Sequence, residues 1–291
     1  MKLKVAHFDK QVFEDKLKHL SHLDFSLFIE TAPQSQDELS PINIIAFQEP
    51  NEYFGLHDWV IENKDAFTVI LTQSDKVLNN CETAIYQPFG HTWLKPDQYE
   101  KEHDKKFQLA HLQGKLLKTY GHSLRHEVTA RENEFSIPTK FYETYGDRNN
   151  IDDARLGKEF IFGNSQFGVV IENTSHRGYF TEKILDCFLL KTIPLYWGCS
   201  NIGDYFDTDG IITFNNVDDL VYITNQLNES YYENRKEIIN KNWKLALEYV
   251  NYEQNIINTV TNIFKHNNLI GYTLAMGVQN TNVKKFAGEG I

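Results

Sequence analysis

The stretch FGVVIENTSHRGYFTEKILDCFLLKTIPLYWG, residues 167–198, decides how the chain is read. FGVVI (167–171) is an unbroken apolar run of strand length, the pattern of a strand buried on both faces. A polar, glycine-bearing loop follows. Thr181 is placed to cap a helix whose Ile184, Leu185, Phe188 and Leu189 share one face. TIPLYWG (192–198) then reads as a second strand. Strand, helix and strand at this spacing make one unit of an α/β fold with a parallel sheet. The capped helix carries Glu182 and Lys183 in its first turn. A glutamate suits the positive end of the helix dipole. A lysine does not, unless an anion sits between its ammonium and the free backbone amides. Phosphate is the usual anion there, so Lys183 is a candidate phosphate ligand, although the same spacing also suits a solvated surface lysine.

The alternation continues outward on both sides. FQLAHL (107–112) and GIITF (210–214) add strands, VDDLVYITNQL (217–227) a helix, and Ser123 is a plausible cap for LRHEVTARE. Residues 231–264 are helical by period, with Trp243, Leu247 and Val250 on one stripe and Ile256, Ile257, Val260 and Phe264 on another. Nearer the start, KLKVAHF (2–8), FSLFI (25–29), NIIAF (43–47) and FTVIL (67–71) are brief apolar runs, with helix-like HDWVIENK (57–64) between the last two. The charged stretch KPDQYEKEHDKK (95–106) has almost nothing to bury and predicts a linker at 99–106. It divides an α/β domain at 1–98 from a second at 107–265, and the aperiodic 266–291 reads as a flexible tail. Two such domains in tandem make a cleft, and ligands of α/β sheets bind beyond the carboxyl ends of strands.

Composition agrees. A chain of 291 residues holds about two domains at roughly 150 residues each. With 41% hydrophobic and 13% aromatic residues it is too apolar for disorder. A formal charge of -11 repels polyanions, which argues against nucleic acid and against an acidic membrane surface as partners. Cys81, Cys187 and Cys199 are odd in number and lack C-x-x-C spacing, which excludes a disulfide framework and a cysteine-only zinc site and fits a reducing compartment. The opening has no signal-peptide core, and no run of about 18 apolar residues could span a bilayer. The expectation is a soluble, cytoplasmic protein of unknown oligomeric state.

The run I-E-N-T-x-x-x-G-Y-F-T-E-K-I-L-D, followed by K-T-I-P-L-Y-W-G, resembles the signature of glycosyltransferase family 10, the α-1,3/1,4-fucosyltransferases. The likeness is looser from Phe107 to Asn228 and faint in the first domain. The resemblance implies a GT-B fold, two Rossmann-like domains facing each other across a cleft. It implies transfer of fucose from GDP-fucose to a glycan hydroxyl, with inversion and no required metal or cofactor. It places Asn173 and Tyr179 along the nucleotide, Tyr179 against the base, with Glu182 on donor hydroxyls and Lys183 on the diphosphate. A second diphosphate cation falls on Arg125, with Arg131 as alternate; without the resemblance Arg125 reads as a helix-face arginine paired with Glu127 or Glu132. The base falls on Glu49, two residues past NIIAF, or on Glu52. Eukaryotic members are anchored by an N-terminal helix, so this chain resembles a bacterial or viral form acting on cytoplasmic glycans.

The chemistry fits these roles. Breaking a glycosyl–phosphate bond builds negative charge on the diphosphate, which fixed cations and a helix N-terminus stabilise, and positive charge on the sugar, which carboxylates favour. Other patterns carry less. Asp207-Thr208-Asp209 precedes a strand rather than following one, His122 and His126 lack a third metal ligand, and Gly114-Lys115 lacks the spacing of a P-loop. Cys187 reads as a small core residue. Two alternatives stand beside this reading: the same fold with another nucleotide-sugar, and an inactive nucleotide-sugar or carbohydrate-binding subunit.

Overall fold

The computed structural model describes residues 1–88, 90–144, 150–151 and 154–265, and the expected tail at 266–291 lies outside them. The chain forms two compact units, Met1–Phe89 with the chain from Asn251 onward, and Gly90–Val250.

The first unit is a wholly parallel sheet of β1 (Lys2–Val5), β2 (Phe25–Ile29), β3 (Ile42–Phe47), β4 (Val69–Thr72) and β5 (Ala84–Tyr86), in that order. Side chains alternate across it. Leu27, Ile29, Ile44, Ala46 and Leu71 pack with Phe13 and Leu17 of the helix Lys10–Lys16 and its end. Phe28, Ile45, Phe47 and Ile70 pack on the other face with Leu56, Trp59 and Val60 of the helix Leu56–Glu62. Both faces are covered, which is why these strands are continuous apolar runs.

The expected partition changes at both ends. The stripe Ile256, Ile257, Val260 belongs to a helix, Tyr252–Lys265, that lies on the first sheet with Phe25 and Leu27 rather than closing the second domain. A stripe's periodicity does not name the sheet it covers. The long helical segment expected over 231–264 breaks into Glu229–Glu233, Lys236–Ala246 and Tyr252–Lys265. The expected linker at 99–106 is part of the second unit. Leu94 and Tyr99 are buried in its core, and Lys105 donates to Ser165 O at 3.1 Å and Thr192 Oγ1 at 2.8 Å. Leu94 just before the charged stretch and Tyr99 within it hold the segment down, a signal too sparse for a composition window.

The second unit is also wholly parallel, with β6 (Lys106–Gln113), β7 (Thr139–Thr144), β8 (Asn150–Ile151), β9 (Ser165–Ile171), β10 (Ile193–Trp197) and β11 (Ile212–Thr213). Their order is β11-β10-β9-β6-β7-β8. The chain runs outward from β6 to β8, returns to β9 on the other side of β6, and runs outward again. The β6–β9 pair is therefore the switch point, where a crevice opens beyond the carboxyl ends. One face carries Phe162, Ile184, Leu185 and Phe188; the other carries Leu124, Val128, Val217 and Leu220. Each such buried side chain contributes roughly 1.5–3 kcal/mol. Cys187 is fully buried in the first of these layers, as its small apolar character led us to expect.

Candidate functional site at the end of the central strand

β9 ends at Ile171, and Glu172 closes the loop that follows. Its N–H continues the ladder to Trp197 O at 2.9 Å. Its carboxylate, with no exposed surface, accepts Thr181 N at 2.9 Å and Thr181 Oγ1 at 2.6 Å. The loop between thus leaves and rejoins the fold at one carboxylate. Gly178, at φ +72°, makes the turn inside it. Thr181 caps the helix Glu182–Leu189 as expected, its hydroxyl accepting Lys183 N at 3.3 Å.

Lys183 faces inward. Its ammonium donates to Glu182 Oε1 at 2.9 Å and Thr181 Oγ1 at 3.0 Å, and lies 3.6 Å from Glu172 Oε2. Two carboxylates thus offset the cost of a cation at a helix N-terminus. About a fifth of the side chain stays exposed, at 21%. Burial works against the Lys183 charge, but Glu182 and Glu172 hold the ammonium above the usual lysine range. Burial also opposes the Glu182 charge, yet Lys183 and Lys158 prevail and hold it at about 2. Burial pushes the Glu172 carboxyl up, against the pull of Lys183.

Arg125 sits on the helix Tyr120–Ala130, whose cap is Thr119 rather than the expected Ser123. The Thr119 hydroxyl accepts His122 N at 3.4 Å, and His122 Nδ1 accepts Thr119 N at 3.2 Å. A ring nitrogen plays the part usually taken by Glu or Gln, so the capping pattern is hidden from its usual signature. The guanidinium is 8% exposed. It donates to Ile171 O at 2.9 and 2.7 Å and to Asn173 Oδ1 at 2.8 Å. The helix-face pairing read from sequence belongs instead to Arg131, which bonds Glu134 and Asp218 at 2.7 Å each and lies 3.5 Å from Glu127. Arg131 is thereby committed to the surface. His111 holds the Arg125 carbonyl at 3.1 Å, and burial pushes its imidazole down to about 4, so it stays neutral.

The helix can approach β9 this closely because residue 121 is glycine. Its N–H bonds Asn173 O at 3.2 Å, and a β-carbon there would lie 1.9 Å from Glu172 O. Gly121→Ala should therefore displace the helix start, destabilising the chain by about 2 kcal/mol or more. Denaturant unfolding checks this, and a midpoint equal to wild type would mean the contact relaxes freely.

Arg125, Glu182, Lys183 and Lys158 line a cavity of about 160 Å³ at the β6–β9 switch point, with Trp93 and Phe162 on its apolar side. Sequence reasoning missed Lys158. Its side chain is 9% exposed, with Nζ 3.5 Å from Asp186 Oδ2 and 5.8 Å from the centre of the Phe162 ring. Asp186 accepts Thr92 Oγ1 at 2.6 Å, and burial pushes its carboxyl up to about 6 although Lys158 pulls it down. The missed signal is local: Lys158 shares the stripe of Ile161 and Phe162, and a lysine on a buried stripe needs a partner. Asn173 is drawn into the site through Arg125. Tyr179 stands at the loop's end but is only 3% exposed, so its ring faces are largely taken by protein.

Glu49 lies in the first unit and is described there. It follows β3 by two residues and is half-buried, with its carbonyl bonded to His57 Nε2 at 2.9 Å. Glu52, one turn on, is exposed. Asp207 is occupied by Lys241 at 2.7 Å and by the amide of Asp209 at 3.1 Å. Among the described residues no group of three His, Cys, Asp or Glu stands as a metal site, and no helix is long and apolar enough to cross a membrane.

Two wholly parallel α/β units, the second with a charged crevice at its switch point, define the GT-B fold of glycosyltransferases. The structure resembles that of an α1,3-fucosyltransferase solved with GDP, with a TM-score of 0.54 at 16% identity over 91% of this chain and 89% of that one. A further α1,3-fucosyltransferase crystal structure gives 0.50 at 15% with the same coverage, and the GtfA/B complex gives 0.50 at 12% over 88% and 60%. At such identities the likeness is one of fold. By sequence, the α-(1,3)-fucosyltransferase FucT of Helicobacter pylori is 31% identical over 77 residues, 25% of this chain and 16% of that protein. No family model matches the chain.

Proposed function

We propose that the chain is an inverting glycosyltransferase that moves fucose from GDP-fucose to a glycan hydroxyl. The observation that carries this reading is the convergence of Arg125 and Lys183 on one cavity at the carboxyl end of β9. They come from two different helices, 58 positions apart in sequence, and each would hold the diphosphate as it leaves. Arg125 supplies a fixed cation, its Nε and Nη2 donors anchored on Ile171 O and Asn173 Oδ1. Lys183 supplies a point charge that its two carboxylates keep protonated. Glu182, held ionised, accepts hydrogen bonds from donor hydroxyls.

In the proposed displacement the acceptor oxygen attacks the anomeric carbon while Glu49 takes its proton. The carbon–oxygen bond to the diphosphate breaks with its electron pair going to GDP, and no metal ion is needed because fixed cations meet that charge. The 31% identity to a fucosyltransferase over 77 residues supports the choice of sugar. Titration calorimetry tests the donor. GDP should bind at least about tenfold more tightly than UDP, a difference of about 1.4 kcal/mol, and a glycan acceptor with GDP-fucose should release GDP in the presence of EDTA. Binding of UDP without GDP would overturn the reading.

A further inference from the structure

Glu30 ends β2 in a conformation that costs energy. Its φ is +53°, in the left-handed region that a β-carbon makes unfavourable by about 1 kcal/mol or more. Its N–H nevertheless continues the sheet to Ala46 O at 2.9 Å, and its side chain is 4% exposed. The contacts of that buried carboxyl explain the strain. Oε1 accepts the amide of Gln48 at 2.7 Å, and Oε2 accepts that of Glu49 at 3.5 Å. These amides open the turn after β3 that carries Glu49. The same turn is held from two other elements, by Gln73 Nε2 donating to the Gln48 carbonyl and by His57 at the Glu49 carbonyl.

We propose that Glu30 is the positioning residue for Glu49: a buried carboxyl group that grips the turn at 48–49 and so fixes the backbone that carries the Glu49 side chain. The inference rests on the reading of Glu49 as the base. Burial pushes the Glu30 carboxyl well above the ordinary range, the negative charge of Glu49 adds to the push, and the two amides only partly offset it. The titratable groups around the pair are His57 on the helix after β3 and Tyr252 on the closing helix. Burial, followed by the charges of Glu30, Glu253 and Glu49, pushes the Tyr252 phenol up. Two carboxylates in one low-dielectric site do not both ionise readily, and Glu30 is the more deeply buried of the two. The base is then carried on a backbone that cannot swing away.

Three measurements test this, two of which need no turnover. Carbon-13 carboxyl NMR of the wild-type chain should show a glutamate besides Glu172 that titrates above the ordinary carboxylate range, and Glu30→Gln should abolish that one signal. If Glu30→Gln removes no raised signal, the proposal is overturned. Hydrogen exchange at the Gln48 and Glu49 amides should quicken about tenfold or more in Glu30→Ala, and unchanged exchange overturns the grip. In turnover, Glu30→Gln should lower kcat about tenfold or more, with KM for GDP-fucose within about twofold. Wild-type kcat with an unshifted pH profile overturns the positioning role. Failure of the parent reading looks different: Glu49→Gln would turn over normally while the carboxyl signal and amide protection persisted.

Discussion

Lys183→Ala is expected to weaken GDP binding about 100-fold or more and to abolish measurable transfer. The lysine is the hub of the site, bonding Glu182 and Thr181 and lying 3.6 Å from Glu172. Removing it subtracts a fixed cation from the leaving diphosphate, a loss of roughly 3–4 kcal/mol when such a group acts in a water-poor site. It also leaves Glu172 without its cation and Glu182 with Lys158 in place of two, so repulsion of the incoming phosphates adds to lost attraction. Truncating one partner of a buried ion pair costs roughly 3–5 kcal/mol, so the melting temperature should fall as well. The residual exposure of 21% brings that cost toward the lower end. Calorimetry with GDP below the melting point separates the two effects. Transfer within threefold of wild type would remove Lys183 from the mechanism.

Glu49→Gln is expected to lower kcat by about two to four orders of magnitude while leaving GDP affinity unchanged. The amide preserves shape and the His57 contact to the backbone but cannot accept the acceptor's proton. Glu52→Gln, at an exposed position on the short helix that follows, should behave as wild type. Steady-state transfer with saturating GDP-fucose distinguishes them, and the reverse ranking would transfer the role to Glu52.

The strands that matter most are legible in the sequence because parallel strands buried on both faces leave unbroken apolar runs. FSLFI and FGVVI both stand within two residues of their observed bounds. Thr181 and the amphipathic helix behind it are equally plain. The strands β5, β7 and β8 are not: β5 and β7 are largely half-buried or exposed, and none of the three carries a long unbroken apolar run. In the site, Lys183 announces itself as a cation in the wrong place along a dipole. Arg125 does not: a lone arginine on a helix gives no hint that it turns inward to Ile171 while Arg131 takes the acidic neighbours. Lys158 and Glu30 escape for another reason. Their partners, Asp186 and the amides of Gln48 and Glu49, are distant in sequence or lie in the backbone, so only the tertiary fold brings them together.

The helix Tyr252–Lys265 completes the sheet formed by the first strands, which makes that unit discontinuous in sequence. During synthesis its opening strands leave the ribosome long before the piece that covers Phe25 and Leu27. At roughly 5–20 residues per second the delay is on the order of ten seconds. Throughout that interval an apolar sheet face lacks part of its native cover, and the second unit, which ends at Val250, is itself completed only as that helix follows. The chain's greatest exposure to misassembly therefore falls at birth rather than in its finished state.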